Sequence, residues 1–355
     1  MIQSFDYRGS PARILFAPGA IGRTAEVIDA LGCARALVLS TPGRAKADAE
    51  ALAARLGGKA AGVFAEAAMH TPIEVTERAL DAMRAAGADC TVALGGGSTT
   101  GLGKAIADRL DTAQIAIPTT YAGSEATPIL GQTEKGEKTT VSSPAILPEA
   151  VIYDPELTLG LPYPVTVASA FNAMAHAAEG LYARDRNPVS SLMAAEGLRA
   201  LVRALPVLRE APRDLPARSD ALLGAWLCGT VLAATGMALH HKLCHVLGGS
   251  FGLPHAETHA VVLPHAVAYN EAAAADELQP LAEALGGGRP GAALQAFALD
   301  VGAPTSLEAL GMAEADLQRA ADLATRNPYW NPREVTRDGV RALLDAAWRG
   351  DTPAG

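Results

Sequence analysis

Short apolar runs alternate with longer amphipathic stretches along residues 1–155 of the chain. Runs such as Ala36–Ser40 (ALVLS) and Cys90–Leu94 (CTVAL) have the length and composition of buried strands. The stretches between them space their apolar residues as helices do, so the pattern predicts a parallel sheet covered by helices. The other predicted elements are the strands Ala60–Phe64 and Gln114–Pro118 and the helices Gly43–Leu56, Pro72–Ala86 and Thr99–Leu110.

The pattern changes near residue 155, where strand-like runs end and long segments rich in alanine and leucine begin. Val165–Ala183, Ser190–Leu208 and Ala221–Gly248 are typical of long helices. We therefore expect an α/β domain over residues 1–155 and an all-α domain over residues 156–355. Just before this boundary, Lys138–Asp154 combines short strand-like pieces with two prolines, which predicts a ribbon that leads out of the sheet.

One segment of the helical half, Ala221–His241, contains no Lys, Arg, Asp or Glu and is almost long enough to span a bilayer. Three glycines and two threonines dilute its apolar character, and nothing else in the chain resembles a membrane topology. We therefore expect a helix buried inside the domain, and a transmembrane helix is the less favoured alternative.

Composition and charge narrow the classes of function. With 29 Lys and Arg against 38 Asp and Glu, the formal net charge is −9, and no basic stretch could displace counterions from nucleic acid or an anionic membrane. The start of the chain lacks the apolar run of a signal peptide, and the four cysteines form no C-x-x-C pair. We expect a cytoplasmic protein whose partner is a small molecule.

The strongest local signal is a glycine-rich turn after the strand Cys90–Leu94. Gly95, Gly96, Gly97 and Ser98 open a predicted helix in the sequence LGGGSTTGLGKA. Glycines allow the backbone to approach a phosphate closely, and the N–H groups at a helix N-terminus attract an anion. The spacing matches neither G-x-G-x-x-G nor a P-loop, and a tight structural turn is the alternative. We predict a phosphate-binding loop.

Two further strand ends carry candidate cofactor contacts, because the carboxyl ends of parallel strands border the ligand crevice. The sequence PTTYAGSEAT follows the next strand and supplies Thr119, Thr120 and Ser124. The first predicted strand leads to Thr41, where dinucleotide-binding domains often have a carboxylate for the adenosine ribose. No carboxylate would repel a 2′-phosphate there, and Arg44 could meet one. The choice between NADH and NADPH therefore stays open.

Five of the eight histidines lie between residues 240 and 259. His241 and His245 are four residues apart and so share one helical face, and a glycine-rich turn can bring His255 back towards them. Asn172 and His176 have the same spacing on the first helix after the boundary. Two helix faces and a loop can thus bring imidazoles to one point, which is a spacing that metal ligands have.

The histidine-rich segment does not match H-E-x-x-H, because Lys242 stands where that motif has its glutamate. Any one histidine taken alone is more often a packed or surface residue, and we expect His240 and His265 to be such residues. The density of histidines beside a helix without charges nevertheless favours a shared functional site.

Four features of this sequence are GGGSTTGLGKA, PTTYAGSEAT, the Asn172/His176 pair and the histidines at 241, 245 and 255. Together they resemble the iron-containing (group III) alcohol dehydrogenase superfamily over nearly the whole chain. Within it, the sequence is most similar to the maleylacetate reductase branch. The resemblance implies a Rossmann-like N-terminal domain, a helical C-terminal domain in a dehydroquinate synthase-like architecture, and a homodimer. It also implies NADH- or NADPH-dependent reduction of the carbon–carbon double bond of maleylacetate, and of chloromaleylacetates, to 3-oxoadipate in the catabolism of aromatic compounds.

The resemblance also implies roles for individual residues. The residues that match the nucleotide contacts of the family are Gly95, Gly96, Gly97, Ser98, Thr119, Thr120 and Lys138. His176, His241 and His255 match three of the four metal ligands of the family, and His245 matches a histidine beside nicotinamide and substrate. The fourth ligand of the family is an aspartate, and its place is taken by Asn172.

A second aspartate of the metal-dependent members is replaced by Gly101, so both departures remove negative charge. Hydride addition to a double bond conjugated with a ketone gives an enolate, which needs less electrostatic help than an alkoxide. We therefore expect no catalytic metal, and imidazoles that donate hydrogen bonds in its place. The expected catalytic residues are His176, His241, His245, His255 and Tyr121. If a metal does bind, its expected ligands are His176, His241 and His255.

The carboxylates of the substrate need cationic or polar partners. The candidates are Tyr121, Lys242, Arg326, Tyr329, Trp330 and Arg333. Three other functions stay open on sequence grounds. A metal-dependent alcohol or lactaldehyde dehydrogenase would use water to complete a three-histidine site. A dehydroquinate synthase-like lyase is disfavoured by Asn172, and a non-catalytic nucleotide-binding paralogue is disfavoured by the histidines.

Overall fold

The computed structural model describes residues 4–134 and 137–354. The described chain divides into two compact units, residues 9–161 and residues 162–354, and residues 4–8 group with the second. Pro155–Thr158, just past the predicted boundary, is a short 3₁₀ helix that still belongs to the first unit.

The first unit contains a sheet, a hairpin and the helices that cover the sheet. The strands are β1 (Arg13–Phe16), β2 (Ala36–Leu39), β3 (Ala60–Phe64), β4 (Cys90–Gly95), β5 (Ala113–Pro118), β6 (Ile129–Glu134), β7 (Glu137–Ser142) and β8 (Ala150–Tyr153). The helices are α1 (Thr24–Ala30), α2 (Arg44–Leu56), α3 (Ile73–Ala86) and α4 (Gly97–Leu110). Among the described residues, six strands form a parallel sheet in the order β1-β8-β5-β4-β2-β3, and β6 and β7 form a separate antiparallel hairpin.

The sheet confirms the predicted α/β class. Successive side chains of a strand belong in turn to two hydrophobic clusters. Val38 and Val92 belong to one cluster, and Leu37, Leu39 and Ala93 belong to the other. This alternation follows from the two-residue period of a strand. Because helices cover both faces, the strands are apolar at successive positions, which explains why the apolar runs located them correctly.

The predicted ribbon over Lys138–Asp154 is wrong for its second half. Ala150–Tyr153 is not an excursion from the sheet but an inner strand of it, paired with β1 on one side and β5 on the other. Each of its residues is buried, as an inner parallel strand requires. Only the first half of the segment is a ribbon, within the hairpin β6–β7. The edge strand Arg13–Phe16 was not predicted, and Leu15 alone of its four residues is buried.

The second unit is helical, as predicted. Its helices are α5 (Tyr163–Leu181), α6 (Pro188–Glu210), α7 (Leu215–Ala234), α8 (Leu239–Phe251), α9 (His255–Asn270), α10 (Ala275–Ala284), α11 (Pro290–Asp300), α12 (Leu317–Thr325) and α13 (Arg337–Arg349). Among the described residues, no single helix is long and apolar enough to cross a membrane, although the bent pair α7 and α8 passes the same test of length and composition.

A continuous helix over Ala221–Gly248 is contradicted, because α7 ends at Ala234 and α8 begins at Leu239 at an angle of 98° to it. Thr235 and Gly236 are poor helix formers, which weakens the helix at this point. The new helix is stabilised from outside: a carboxylate of α5 accepts hydrogen bonds from backbone N–H groups at its start. The break places the histidines at the beginning of α8 rather than in the middle of a long helix.

Candidate active site

The predicted phosphate loop lies at the carboxyl end of β4, where Gly95 pairs in register with Pro118 of β5. A Cβ on Gly95 would lie 2.4 Å from Thr99 Oγ1, and one on Gly96 would lie 2.9 Å from Thr120 Cγ2. Both distances are too short for a side chain without rearrangement. Helix α4 begins directly after Gly96 without a side-chain cap, so its first N–H groups face the loop. This arrangement suits an anion such as a pyrophosphate.

The second predicted loop lies beside the first, since the Thr119 N–H donates to the Gly95 carbonyl over 3.0 Å. The Ser124 hydroxyl is 3.8 Å from the position of a Cβ on Gly97. The buried hydroxyls of Ser124 and Thr99 have no hydrogen-bond partner among the described residues. Two buried hydroxyls without partners beside a glycine turn fit the oxygen atoms of a bound nucleotide.

The remaining nucleotide-binding candidates are placed as follows. Ser98 is half-buried in the first turn of α4, and Thr120 is half-buried beyond β5. Thr41 is half-buried two residues after β2, and its carbonyl accepts a hydrogen bond from Ser40 Oγ over 3.2 Å. Arg44 is exposed at the start of α2. Lys138 lies in β7, but its side chain is outside the described part of the chain.

Lys104 of α4, which sequence reasoning missed, joins the two loops. Its ammonium group is buried and donates to the Ser124 carbonyl (2.5 Å), Thr127 Oγ1 (2.9 Å) and the Ile129 carbonyl (2.8 Å). Burial lowers the pKa of Lys104 to about 7, against the attraction of Glu125. Burial also raises the pKa of Glu125, whose carboxylate accepts a hydrogen bond from Tyr153 over 2.9 Å. The sequence around Lys104, at the end of LGGGSTTGLGK, offered no signal of this role.

Gly101 has no room for a side chain. A Cβ at this position would lie 2.5 Å from Thr71 Oγ1. Thr71 is buried and has φ +46°, which is rare for a β-branched residue. Its carbonyl accepts a hydrogen bond from the Thr133 N–H over 3.4 Å. The aspartate that metal-dependent members have here would therefore require the Thr71 side chain to move.

Histidines from three helices form one group in the second unit. His176 of α5 lies 5.2 Å from His241 of α8, measured between ring centroids, and 6.5 Å from His259 of α9. The rings of His241 and His259 are 5.1 Å apart. The structure therefore brings the predicted His176 and His241 together, and it adds His259, for which the sequence reasoning proposed no role.

Glu179 is the functional residue of this group that sequence reasoning missed. Its carboxylate accepts a hydrogen bond from His241 Nδ1 over 2.7 Å, and others from the backbone N–H groups of Ala238 (2.8 Å) and His240 (2.7 Å). Burial alone would raise the pKa of Glu179, but the hydrogen bonds and the nearby imidazoles lower it to about 2. Glu179 is thus a buried anion that both caps α8 and orients the His241 ring. One signal was present: it is the only carboxylate in α5, on the face of His176.

His240, expected to have no role, is paired with His259. His240 Nε2 lies 2.9 Å from His259 Nδ1 and 3.6 Å from Cys244 Sγ. Burial lowers the pKa of His240 to about 3 and holds the pKa values of His259 and His176 well below the usual range, with help from the neighbouring imidazoles. These three rings are therefore neutral in the absence of ligand.

The other predicted residues lie around this group or elsewhere. His245 is exposed one turn after His241, at 6.4 Å between ring centroids, and the half-buried His255 lies 4.5 Å from His259. Tyr121 is fully buried in the first unit. Two carboxylate-binding candidates lie against tyrosine rings. These pairs are Lys242 over Tyr329, at 5.8 Å, and Arg333 over Tyr269, at 4.3 Å.

The predicted metal ligands do not fit a resident ion in this arrangement. In the described part of the chain, the groups of three side chains whose ligand atoms all lie within 4.8 Å are His240–Cys244–His259 and Cys33–Asp89–Cys90. The set of His176, His241 and His255 is not among them. The fourth position has Asn172, whose buried Oδ1 is neutral and lacks a partner among these residues. The three predicted ligands thus do not form a close set, and position 172 contributes no negative charge for a divalent cation.

Comparison with known proteins extends over the whole chain. The iron-containing alcohol dehydrogenase family model matches residues 11–155, and the model of the C-terminal domain of the Fe-containing alcohol dehydrogenase family matches residues 166–348. Maleylacetate reductase of Rhizobium sp. strain MTP-10005 is 65% identical, with 99% of this chain and 100% of the relative covered. Maleylacetate reductase of Burkholderia cepacia is 54% identical at the same coverage. The crystal structure of maleylacetate reductase from Agrobacterium tumefaciens is 65% identical, covers 99% of this chain and 100% of its own, and has a TM-score of 0.97.

Proposed function

Because the chain belongs to the iron-containing alcohol dehydrogenase family, we propose that it reduces the carbon–carbon double bond of maleylacetate with NADH or NADPH and forms 3-oxoadipate. The relatives named maleylacetate reductase support this activity. The structural observation that carries it is the pair of Glu179 and His241. A buried carboxylate holds one nitrogen of an imidazole, and the other nitrogen has no partner among the described residues.

The dinucleotide supplies the hydride when it is bound. Its pyrophosphate would lie on the glycine turn, where a Cβ on Gly95 or Gly96 would meet a threonine and where α4 begins. The residues proposed to hold the nucleotide are Gly95, Gly96, Gly97, Ser98, Thr119, Thr120, Ser124, Thr41 and Lys138. Arg44 is the residue to test for a contact with a 2′-phosphate, so NADH and NADPH should both be assayed.

Hydride addition to the alkene carbon remote from the ketone moves an electron pair onto the keto oxygen, which becomes an enolate. In the proposed step, His241 donates a hydrogen bond from Nε2 to this oxygen, while Nδ1 donates to the Glu179 carboxylate, which fixes the orientation of the ring. His176, whose ring lies 5.2 Å away, provides a second polar contact. Since Asn172 replaces an aspartate, no carboxylate at this position repels the dicarboxylate.

Protonation of the carbon next to the ketone completes the reaction, which consumes one NAD(P)H and one proton for each maleylacetate. We assign this proton to His245, because it is exposed and can take a new proton from water after each turnover. Tyr121 and His255 stay candidates for contacts with the substrate. A divalent ion, as a Lewis acid, is not required for an enolate whose charge the imidazoles already stabilise.

The test is the consumption of NADH, followed by its absorbance, with purified protein and maleylacetate, before and after dialysis against a strong chelator. We expect turnover to 3-oxoadipate, identified by mass spectrometry, at the same rate in both samples. Loss of activity with chelator and recovery with ferrous or zinc ions would contradict the metal-free mechanism. Absence of maleylacetate reduction in both samples would contradict the function itself.

The alternative of a metal-dependent alcohol or lactaldehyde dehydrogenase has less support. It would require bound metal in stoichiometric amount and oxidation of primary alcohols, and the neutral Asn172 is a weak ligand for such an ion. We also propose that the protein is cytoplasmic and that it forms a homodimer. Size-exclusion chromatography with light scattering tests the homodimer directly, and a monomer would contradict it.

A further inference from the structure

The histidine group consists of His176, His241 and His259, and the proposed reaction gives no role to His259. His176, His241 and His259 form a triangle of rings, and each has one buried nitrogen without a hydrogen-bond partner among the described residues. These atoms are His176 Nδ1, His241 Nε2 and His259 Nε2. Native proteins leave few buried polar atoms unpaired. Three such nitrogens in adjoining rings therefore point to a polar ligand, and a fourth unpaired atom, Asn172 Oδ1, accompanies them.

His259 is held in place on its other side. Its Nδ1 is hydrogen-bonded to His240 Nε2 at 2.9 Å, and both rings are almost completely buried. This bond fixes the plane of the His259 ring and leaves Nε2 as the atom that can meet a ligand. When the proton of the pair belongs to His240 Nε2, His259 carries its own proton on Nε2 and is a neutral donor.

We propose that His259 donates a hydrogen bond from Nε2 to an oxygen atom of the bound keto dicarboxylate, and that it is a further catalytic residue of this site. The inference rests on the proposed function. No proton is transferred in this contact; the hydrogen bond becomes stronger as negative charge develops on the oxygen. A neutral donor next to the Glu179–His241 pair adds stabilisation without adding a positive charge to a buried site.

The test compares His259→Asn with His259→Gln. An asparagine amide reaches about as far as Nδ1 and can still bond to His240, but it does not reach the position of Nε2. A glutamine amide extends to about the position of Nε2 and can donate from there. We expect His259→Asn to lower kcat/KM for maleylacetate about 100-fold. We expect His259→Gln to recover at least about tenfold of this loss, with the KM for NADH changed by less than about twofold in both variants.

His265 provides the matched control. It lies on the same helix, α9, is also buried, and has an Nε2 without a partner, but it makes no ring contact with the histidine group among the described residues. His265→Asn and His265→Gln remove an equally buried imidazole. We expect them to lower the melting temperature to a similar extent as the His259 variants, and to change kcat/KM for maleylacetate by less than about threefold.

The outcomes separate this inference from the function on which it rests. If the unchanged enzyme reduces maleylacetate and His259→Asn does so equally well, or no worse than His265→Asn, the inference is wrong and the function stands. If His259→Gln is as slow as His259→Asn, the proposed contact from Nε2 is wrong. If the unchanged enzyme does not reduce maleylacetate, the function and the inference both fall.

Discussion

Removal of the buried ammonium group by Lys104→Met tests whether this side chain holds the two nucleotide loops together. The substitution keeps the length of the side chain but removes the ammonium donor from the carbonyls of Ser124 and Ile129, of which the first still accepts from Thr127. It also leaves the carboxyl group of Glu125 without its cation. A hydrogen bond to a charged group contributes about 1.5–3 kcal/mol, so the loss of the hydrogen bonds of Lys104 should cost about 3–5 kcal/mol. For a unit of this size, this loss corresponds to a fall of about 10 °C in melting temperature.

The assay is urea unfolding of Lys104→Met, Glu125→Gln and the double variant, together with the KM for NADH. If Lys104 and Glu125 attract each other, the double variant should be more stable than the sum of the two single losses by at least about 1 kcal/mol. Lys46→Met is the control, because Lys46 lies in the same unit but forms an exposed pair with Glu50 and should change stability by less than about 0.5 kcal/mol.

Lys104→Met should also raise the KM for NADH about tenfold, because the loop that includes Ser124 loses the contacts that hold it beside the glycine turn. At saturating NADH, kcat for maleylacetate should change much less. Additive losses, within about 0.5 kcal/mol, would refute the attraction between Lys104 and Glu125. An unchanged KM for NADH in a destabilised Lys104→Met variant would refute the role of Lys104 in nucleotide binding.

Three further variants test other parts of the site. Glu179→Gln should lower kcat about 10- to 100-fold without a change in the KM for NADH, since His241 loses its anionic partner, and an unchanged kcat would contradict this role. Gly96→Ala should raise the KM for NADH at least about tenfold, because its methyl group meets Thr120, whereas Ala at Gly58, where nothing lies within 4 Å, should not. Asn172→Asp should increase the metal content measured by mass spectrometry and slow the reduction of maleylacetate, and an accelerated reaction would speak against the proposed charge effect.

The elements of the first unit could be predicted from the sequence where helix and strand patterns alternate. Strands such as Cys90–Gly95 are apolar at successive positions because helices cover both sides, and that pattern is local. Ala150–Tyr153 has the same character, but its position depends on the route of the chain through the hairpin β6–β7 and back. Strand order is a tertiary property, so a four-residue run between prolines could be read as a ribbon.

The candidate site was predictable to the extent that its residues share a helical face or a glycine turn. The spacing of His241 and His245 and the glycines from Gly95 onwards are signals of this kind. The roles of Glu179 and Lys104 depend on partners far away in sequence, such as Ser124 for Lys104. The sequence indicates such contacts in only one way, by a charged residue on a helical face that is otherwise apolar.

The contact between Thr71 and Gly101 affects the evolutionary reversibility of the proposed metal-free chemistry. A single mutation that introduces aspartate at position 101 would bring its Cβ too close to Thr71 Oγ1, and Thr71 is buried with a left-handed backbone conformation. A lineage that returns to metal dependence must therefore rearrange Thr71 as well as change positions 101 and 172. Since the change at position 101 alone should destabilise the protein, we expect the loss of the two carboxylates to be reversed only rarely among descendants of this enzyme.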